Sequence, residues 1–210
     1  MDRPEFKDKQ QVEAPFNHYL EIYKSDSPEE IEKRTGLVFT DNSFSLTLVG
    51  TEYDINHPDF SMVEKTSGTI LRNPYEEILI IHYLTEGVFE QATEKTIDYR
   101  GFRGGNLYYS NFKQRSIDRI ARMFGSRPES LIEAVNRIPR LRKIQISGCD
   151  AGVRIEFIQN LWVTVMVWAG DEEFPANAQV LFSDNFPKAF TAEDAAGICD
   201  ILIARIKKFL

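Results

Sequence analysis

The segment Tyr99-Arg-Gly-Phe-Arg-Gly-Gly-Asn106 concentrates the residue types best suited to hold an anion. Paired glycines ahead of a helix expose backbone N–H groups where the helix dipole is positive. Arg100, Arg103, Lys113 and Arg115 add fixed charge, and arginine can grip a carboxylate or phosphate with two parallel hydrogen bonds. Tyr99, Phe102, Tyr108 and Tyr109 offer a planar ligand a surface for stacking. The expected binding set is therefore Arg100, Arg103, Gly104, Gly105, Lys113 and Arg115, taking an acidic small molecule or an acidic partner. The same residues have a purely structural account. Gly104-Gly105 can make a tight turn with positive φ, with the aromatics filling the core beneath it.

A second constellation would make the protein an enzyme. His82 sits on an otherwise apolar helical stretch, where an ionisable group needs a partner. Asp171-Glu172-Glu173 follows the most apolar run of the chain and could supply acid/base chemistry. Adjacent strand residues point to opposite faces, so the three acids converge only in a bent loop. The structural alternative is a solvated turn anchored by Phe174-Pro175, with His82 bonded to a helix neighbour. No G-x-G-x-x-G after a strand, Walker pattern, G-x-S-x-G or H-E-x-x-H is present. His18, His57 and His82 lack metal-ligand spacing, as do Cys149 and Cys199. The reading names no cofactor and no metal.

Charge supplies a third reading. The chain carries a net −7, yet Lys95 to Lys143 holds 12 Lys/Arg against 4 Asp/Glu, a local +8 that leaves −15 elsewhere. A basic 95–143 segment can bind nucleic acid, although the acidic remainder repels phosphates. Its arginines can equally decorate solvated helix faces and pair with the acidic rest of the molecule.

These residues need elements to position them. Residues 1–13 read as a flexible N-terminus and 14–210 as a single α+β domain. Phe16, Tyr19, Leu20 and Tyr23 recur at helical spacing over Ala14–Lys24. Ser27-Pro28-Glu29-Glu30 starts a helix that ends at Gly36, with Ser27 and Glu30 forming a capping box. Alternation over Leu37–Ile55, with turns at Asp41-Asn42 and Val49-Gly50, predicts an antiparallel meander, then a loop or irregular edge from His57 to Gly68. Asn73-Pro74 opens a helix to about Glu86, apolar over most of its circumference and therefore central. After a polar crossover, Ile97–Phe102 reads as extended. A helix from about Tyr108 to Gly125 places Tyr109, Phe112, Ser116, Ile120 and Met123 on one face and Arg115, Arg119 and Arg122 on another. Pro128–Ile138 forms a further helix.

The strand period returns at 143–147, 153–158, 161–168 and 179–183. Leu161–Trp168 is apolar on both faces and belongs mid-sheet. Thr191 caps a last helix with Ala195, Ile198, Cys199, Leu202, Ile206 and Phe209 buried. Helices and strands come in blocks, which makes the class α+β with a mainly antiparallel sheet. The N-terminus lacks an apolar secretory core, no run approaches a membrane span, and two cysteines make no disulfide framework. A cytoplasmic protein without membrane association is expected, its thiols not bonded to each other.

Certain spaced motifs carry a resemblance: Ile81-His-Tyr-Leu84, Tyr99 through Tyr108, Phe112 with Arg115, Phe124-Gly125, Trp168-Ala-Gly-Asp-Glu-Glu-Phe-Pro-Ala176 and Leu181-Phe182. Together they resemble an uncharacterised prokaryotic family, mainly from anaerobic bacteria and archaea, catalogued as a domain of unknown function. The likeness runs from about Phe16 to Leu210 and implies no established activity. Some relatives carry an added cysteine-rich segment of iron–sulfur type, which these 210 residues do not contain.

Overall fold

A computed structural model describes residues 9–210, with side chains from Glu13 onward. The expected flexible stretch falls mostly outside the described residues. Its last part, from Lys9, is already helical as the start of α1 (Lys9–Ser25), earlier than the expected start at Ala14. The fold is α+β, built on two antiparallel sheets. The chain divides into two compact units. The first runs to Phe89; the second spans Glu90–Leu210 and also takes the Thr47–Thr51 turn.

In the first unit, α2 (Pro28–Thr35) begins with the capping box expected of Ser27 and Glu30, and stops at Gly36 with φ 68°. The meander follows as β1 (Phe39–Thr40), β2 (Ser43–Leu48) and β3 (Thr51–Asn56). Its two-residue turns place Asp41, Asn42, Val49 and Gly50 at positive φ, the geometry that matches strand twist. A fourth strand, β4 (Met62–Glu64), extends the sheet in the order β1-β2-β3-β4. Of the loop or irregular edge expected there, the edge is what forms, as a regular strand. Three residues are too few for a period to show, and pairing with Tyr53–Ile55 makes them a strand. The long helix α3 (Pro74–Glu86), capped by Asn73, is buried from Leu79 to Thr85, which makes it central as expected.

The second unit holds the sheet β5 (Thr96–Ile97), β6 (Lys143–Gln145), β7 (Ala151–Ile158), β8 (Leu161–Trp168) and β9 (Asn177–Ser183), ordered β5-β9-β8-β7-β6. β8 is the middle strand. Val163, Val165 and Val167 face the same side as Val153, Ile155, Val180 and Phe182, and all are buried. The other side of β8 departs from expectation: Trp162, Met166 and Trp168 are half-buried rather than sealed. The helices α4 (Gly105–Phe112), α5 (Asp118–Phe124), α6 (Glu129–Arg137), α7 (Phe186–Ala189) and α8 (Ala192–Lys207) complete the unit. Thr191 caps α8 through a capping box with Asp194.

Between α4 and α5 lies a π-helical turn, Lys113–Ile117. It inserts one extra residue per turn and rotates the following helix relative to α4. The expected single face is therefore split. Phe112, Ser116, Ile117, Ile120, Ala121 and Phe124 are buried, whereas Tyr109 and Met123 are half-buried.

Candidate functional site

The glycine pair is built on an aromatic floor. Tyr99 stacks on Phe112 with ring centroids 4.0 Å apart, and Phe102 meets Phe182 edge-on at 5.1 Å. Before the pair, Tyr99–Gly101 is a 3-10 turn rather than the expected extended segment, because Asp98 caps it. Asp98 Oδ1 accepts from the Arg100 N–H at 2.9 Å. Its Oδ2 accepts from Arg100 Nη2 and Nε at 2.5 and 3.0 Å. The Arg100 side-chain hydrogen bond is the main reason the Asp98 carboxyl is held below the usual range, with burial opposing it.

Gly104 has φ 79° and open space where a Cβ would stand. It sits at the entrance of α4, which begins at Gly105, three residues before the expected start. Gly105 is buried, and a Cβ there would run into the Tyr99 carbonyl oxygen. Backbone-on-backbone approach is therefore what requires a glycine. The Gly105 N–H donates to Phe102 O at 2.9 Å, so one of the anticipated anion donors is already engaged.

The basic side chains do not converge on one point. Arg100 pairs with Asp98 and lies over the Tyr109 ring, 4.7 Å from its centroid. Lys113 reaches Asp118 at 2.5 Å. Arg115 pairs with Asp200 of α8, and Arg119 Nη1 joins the same carboxylate at 3.3 Å. Arg103 differs: it is exposed, with no ion pair among the described residues. Beside it in the chain stand Leu107, 83 % exposed, and Tyr108, 62 % exposed. Leu107 is not among the residues the sequence singles out. A signal for it existed, since Leu107 and Tyr108 both fall off the Tyr109–Phe112–Ser116 face.

His82 belongs to the first unit. It is buried, stacks on Tyr19 at 4.6 Å, and its Nε2 lies 3.1 Å from Glu86 Oε2. The acidic turn belongs to the second unit. Asp171 Oδ1 accepts from the N–H groups of Phe174 and Glu173 at 2.7 and 2.9 Å. These two bonds fold the turn back on itself and hold the Asp171 carboxyl below its ordinary value. Cys149 and Cys199 are both free thiols. Burial pushes the Cys199 thiol far up, so it is held neutral.

Among the described residues, no group of three or more His, Cys, Asp or Glu side chains is placed to hold a metal ion. A cavity of about 10 Å³ lies under Val163, Val165 and Val180 against Ile120, Phe124 and Cys199. Its apolar lining leaves a water without partners, so it is a packing defect. No helix among the described residues is long and apolar enough to cross a membrane.

A family model described as a domain of unknown function, DUF3786, matches residues 27–205. The chain belongs to the DUF3786 family. That match runs from the capping residue of α2 to the last turn of α8, so it takes in both units and the glycine pair. No curated protein and no solved structure matches the chain.

Proposed function

We propose that this DUF3786 domain is a binding module, and that its contact surface is the projecting start of α4: Arg103, Gly104, Leu107 and Tyr108. The observation that carries the reading is the pairing of two large exposed apolar side chains with an arginine that has no carboxylate of its own. Tyrosine and arginine are the residue types that dominate binding hot spots, and the buried Gly105 roots them on a rigid floor. A partner bearing an acidic group beside an apolar one fits this surface.

Arg100, Lys113 and Arg115 form the rim of the same region. Each already holds an internal carboxylate, so an incoming acid there exchanges one ion pair for another with little net gain. Arg103 gains a partner outright. Arg119, Arg127 and Arg142 of the 95–143 segment likewise hold carboxylates, and Arg137 and Lys143 hold backbone carbonyls, which favours an acidic peptide over a nucleic acid. The alternative enzyme reading draws no support from His82, which bonds Glu86 one helical turn on, or from Asp171, whose bonds close its own turn. Two free thiols fit a cytoplasmic location.

The test is selection of a displayed acidic-peptide library on the wild-type protein, with Arg103→Glu and Leu107→Ser as counter-targets. Peptides that need both residues, while inorganic phosphate and single-stranded DNA fail to compete, are the expected result. Arg103→Ala should then cost about 1.5–3 kcal/mol of affinity with little loss of stability. Peptides indifferent to both substitutions, or a melting temperature that falls with Arg103→Ala while binding holds, would sink the reading.

A further inference from the structure

An antiparallel sheet covered on one face is normally polar on the other. The first unit's sheet obeys: Ser45 and Asp54 share its outer face, with Lys65 Nζ 2.8 Å from Ser45 Oγ and 3.0 Å from Asp54 Oδ1. The second unit's sheet does not. Pairing of Ile144 with Arg154, Arg154 with Thr164 and Thr164 with Leu181 lays these residues in one row across the outer face. Trp162, Met166 and Trp168 stand on the same side, half-buried, and Ile144 is 50 % exposed. A face that sets half-buried Trp162, Met166 and Trp168 around the buried Thr164, beside Arg154, has the composition of an interface core, with exposed Asn177 and Gln179 at its polar margin.

Its charges are segregated along the strand. At the Trp162 end, the Arg142 and Arg154 guanidinium groups lie 5.2 and 5.4 Å from the indole ring centroid. Glu156 holds Arg142 at 2.5 Å. Among the described residues Arg154 has no carboxylate partner, and its Nε is buried without a hydrogen bond. Past Trp168, at the opposite end, come Asp171, Glu172 and Glu173 with Phe174, all exposed. Roughly 20 Å of extended strand, from Trp162 to Trp168, separates the two ends.

We infer that this face is the interface between two copies of the chain, packed sheet against sheet about a two-fold axis lying across the strands. That axis reverses β8 in the partner copy, so the basic end of each copy meets the acidic end of the other. The patch is self-complementary, as a two-fold interface requires. The area also fits. Strands ~4.8 Å apart and ~3.3 Å per residue give a face of about 500 Å² in projection. Side-chain relief brings that toward the roughly 800 Å² per partner of a stable interface.

Sedimentation velocity on the full chain, from low to high micromolar concentration, reads the association directly. Wild type should dimerise, less tightly as salt is raised. Gln179, exposed at that margin and paired with Met166, gives the probe Gln179→Arg. That variant should keep its thermal melt and weaken the dimer on the order of tenfold or more. Arg154→Glu should weaken it likewise, and adding Glu172→Arg with Glu173→Arg should restore it. A wild type that stays monomeric throughout, including one that instead binds single-stranded DNA on this face, overturns the inference. So does a dimer untouched by Gln179→Arg, or a charge reversal without rescue.

Discussion

Two neighbouring glycines do different work here. Gly104 has the positive φ and open space above it; Gly105 has ordinary dihedrals and a carbonyl in the way. Gly104→Ala should therefore cost the left-handed strain of an L-residue, about 1–2 kcal/mol. Gly105→Ala must push Tyr99 backbone off the aromatic floor and should cost more, about 3 kcal/mol, the upper part of the overpacking range. Urea denaturation of the two variants ranks them, and the reverse order would show that the floor yields. Two carboxylates set the acid response at the same scale. Arg100 holds Asp98 below the ordinary value, and the Phe174 and Glu173 amides do so for Asp171. A group whose folded pKa is depressed contributes stability above its unfolded value, and loses it as pH falls through the folded one. Both contributions should be intact above about 3.9 and vanish only below it. Carbon-detected NMR titration should find both midpoints below that figure; a midpoint above it for either would contradict the bonds described.

At the scale of elements, β8 decides the fold of the second unit. It pairs on both sides, and its inner valines meet α5 and α8. Val165 is 2 % exposed, so Val165→Asp buries a charge with no partner and should abolish folding. Circular dichroism of that variant should show no cooperative melt. Thr164, the neighbour on the outer side, makes the control: Thr164→Val should fold normally. A native-like melt for Val165→Asp would mean that the inner layer opens to water. The π-turn belongs to this scale too, because it sets which arginines of the helix can reach α8. Arg115 and Arg119 both arrive at Asp200 across that one-residue insertion.

For the whole molecule, order of protection follows from how each strand is covered. In the second unit β8 has two ladders and a sealed inner face, while β6 is a short edge strand with Ile144 in the open. Amide hydrogen exchange should accordingly be slowest in Val163–Val167 and fast in Lys143–Gln145. Comparable rates in the two strands would contradict the strand order. If the outer sheet face is an interface, protection of Trp162 and Trp168 should also rise with concentration. The proposed contact surface and the proposed sheet interface rest on different residues of the same unit, so each proposal can fail without the other.

The element types were legible in the sequence because their causes are local. Ser27, Asn73 and Thr191 cap helices through amides two or three residues away, and the apolar run Leu161–Trp168 announces a central strand by itself. The family, too, was readable from its spaced motifs. What the sequence could not decide depends on residues distant in the chain. β4 is a strand because β3 lies beside it, and Arg115 is paired because α8 brings Asp200 to it. The outer side of β8 is half-exposed while α5 and α8 pack on the inner one; the run of apolar residues is the same in either case. Whether an apolar or charged side chain is spent inside the molecule or left for a partner is a question of what lies opposite it. Only the tertiary structure shows Arg103 and Leu107 exposed and Trp162 half-buried.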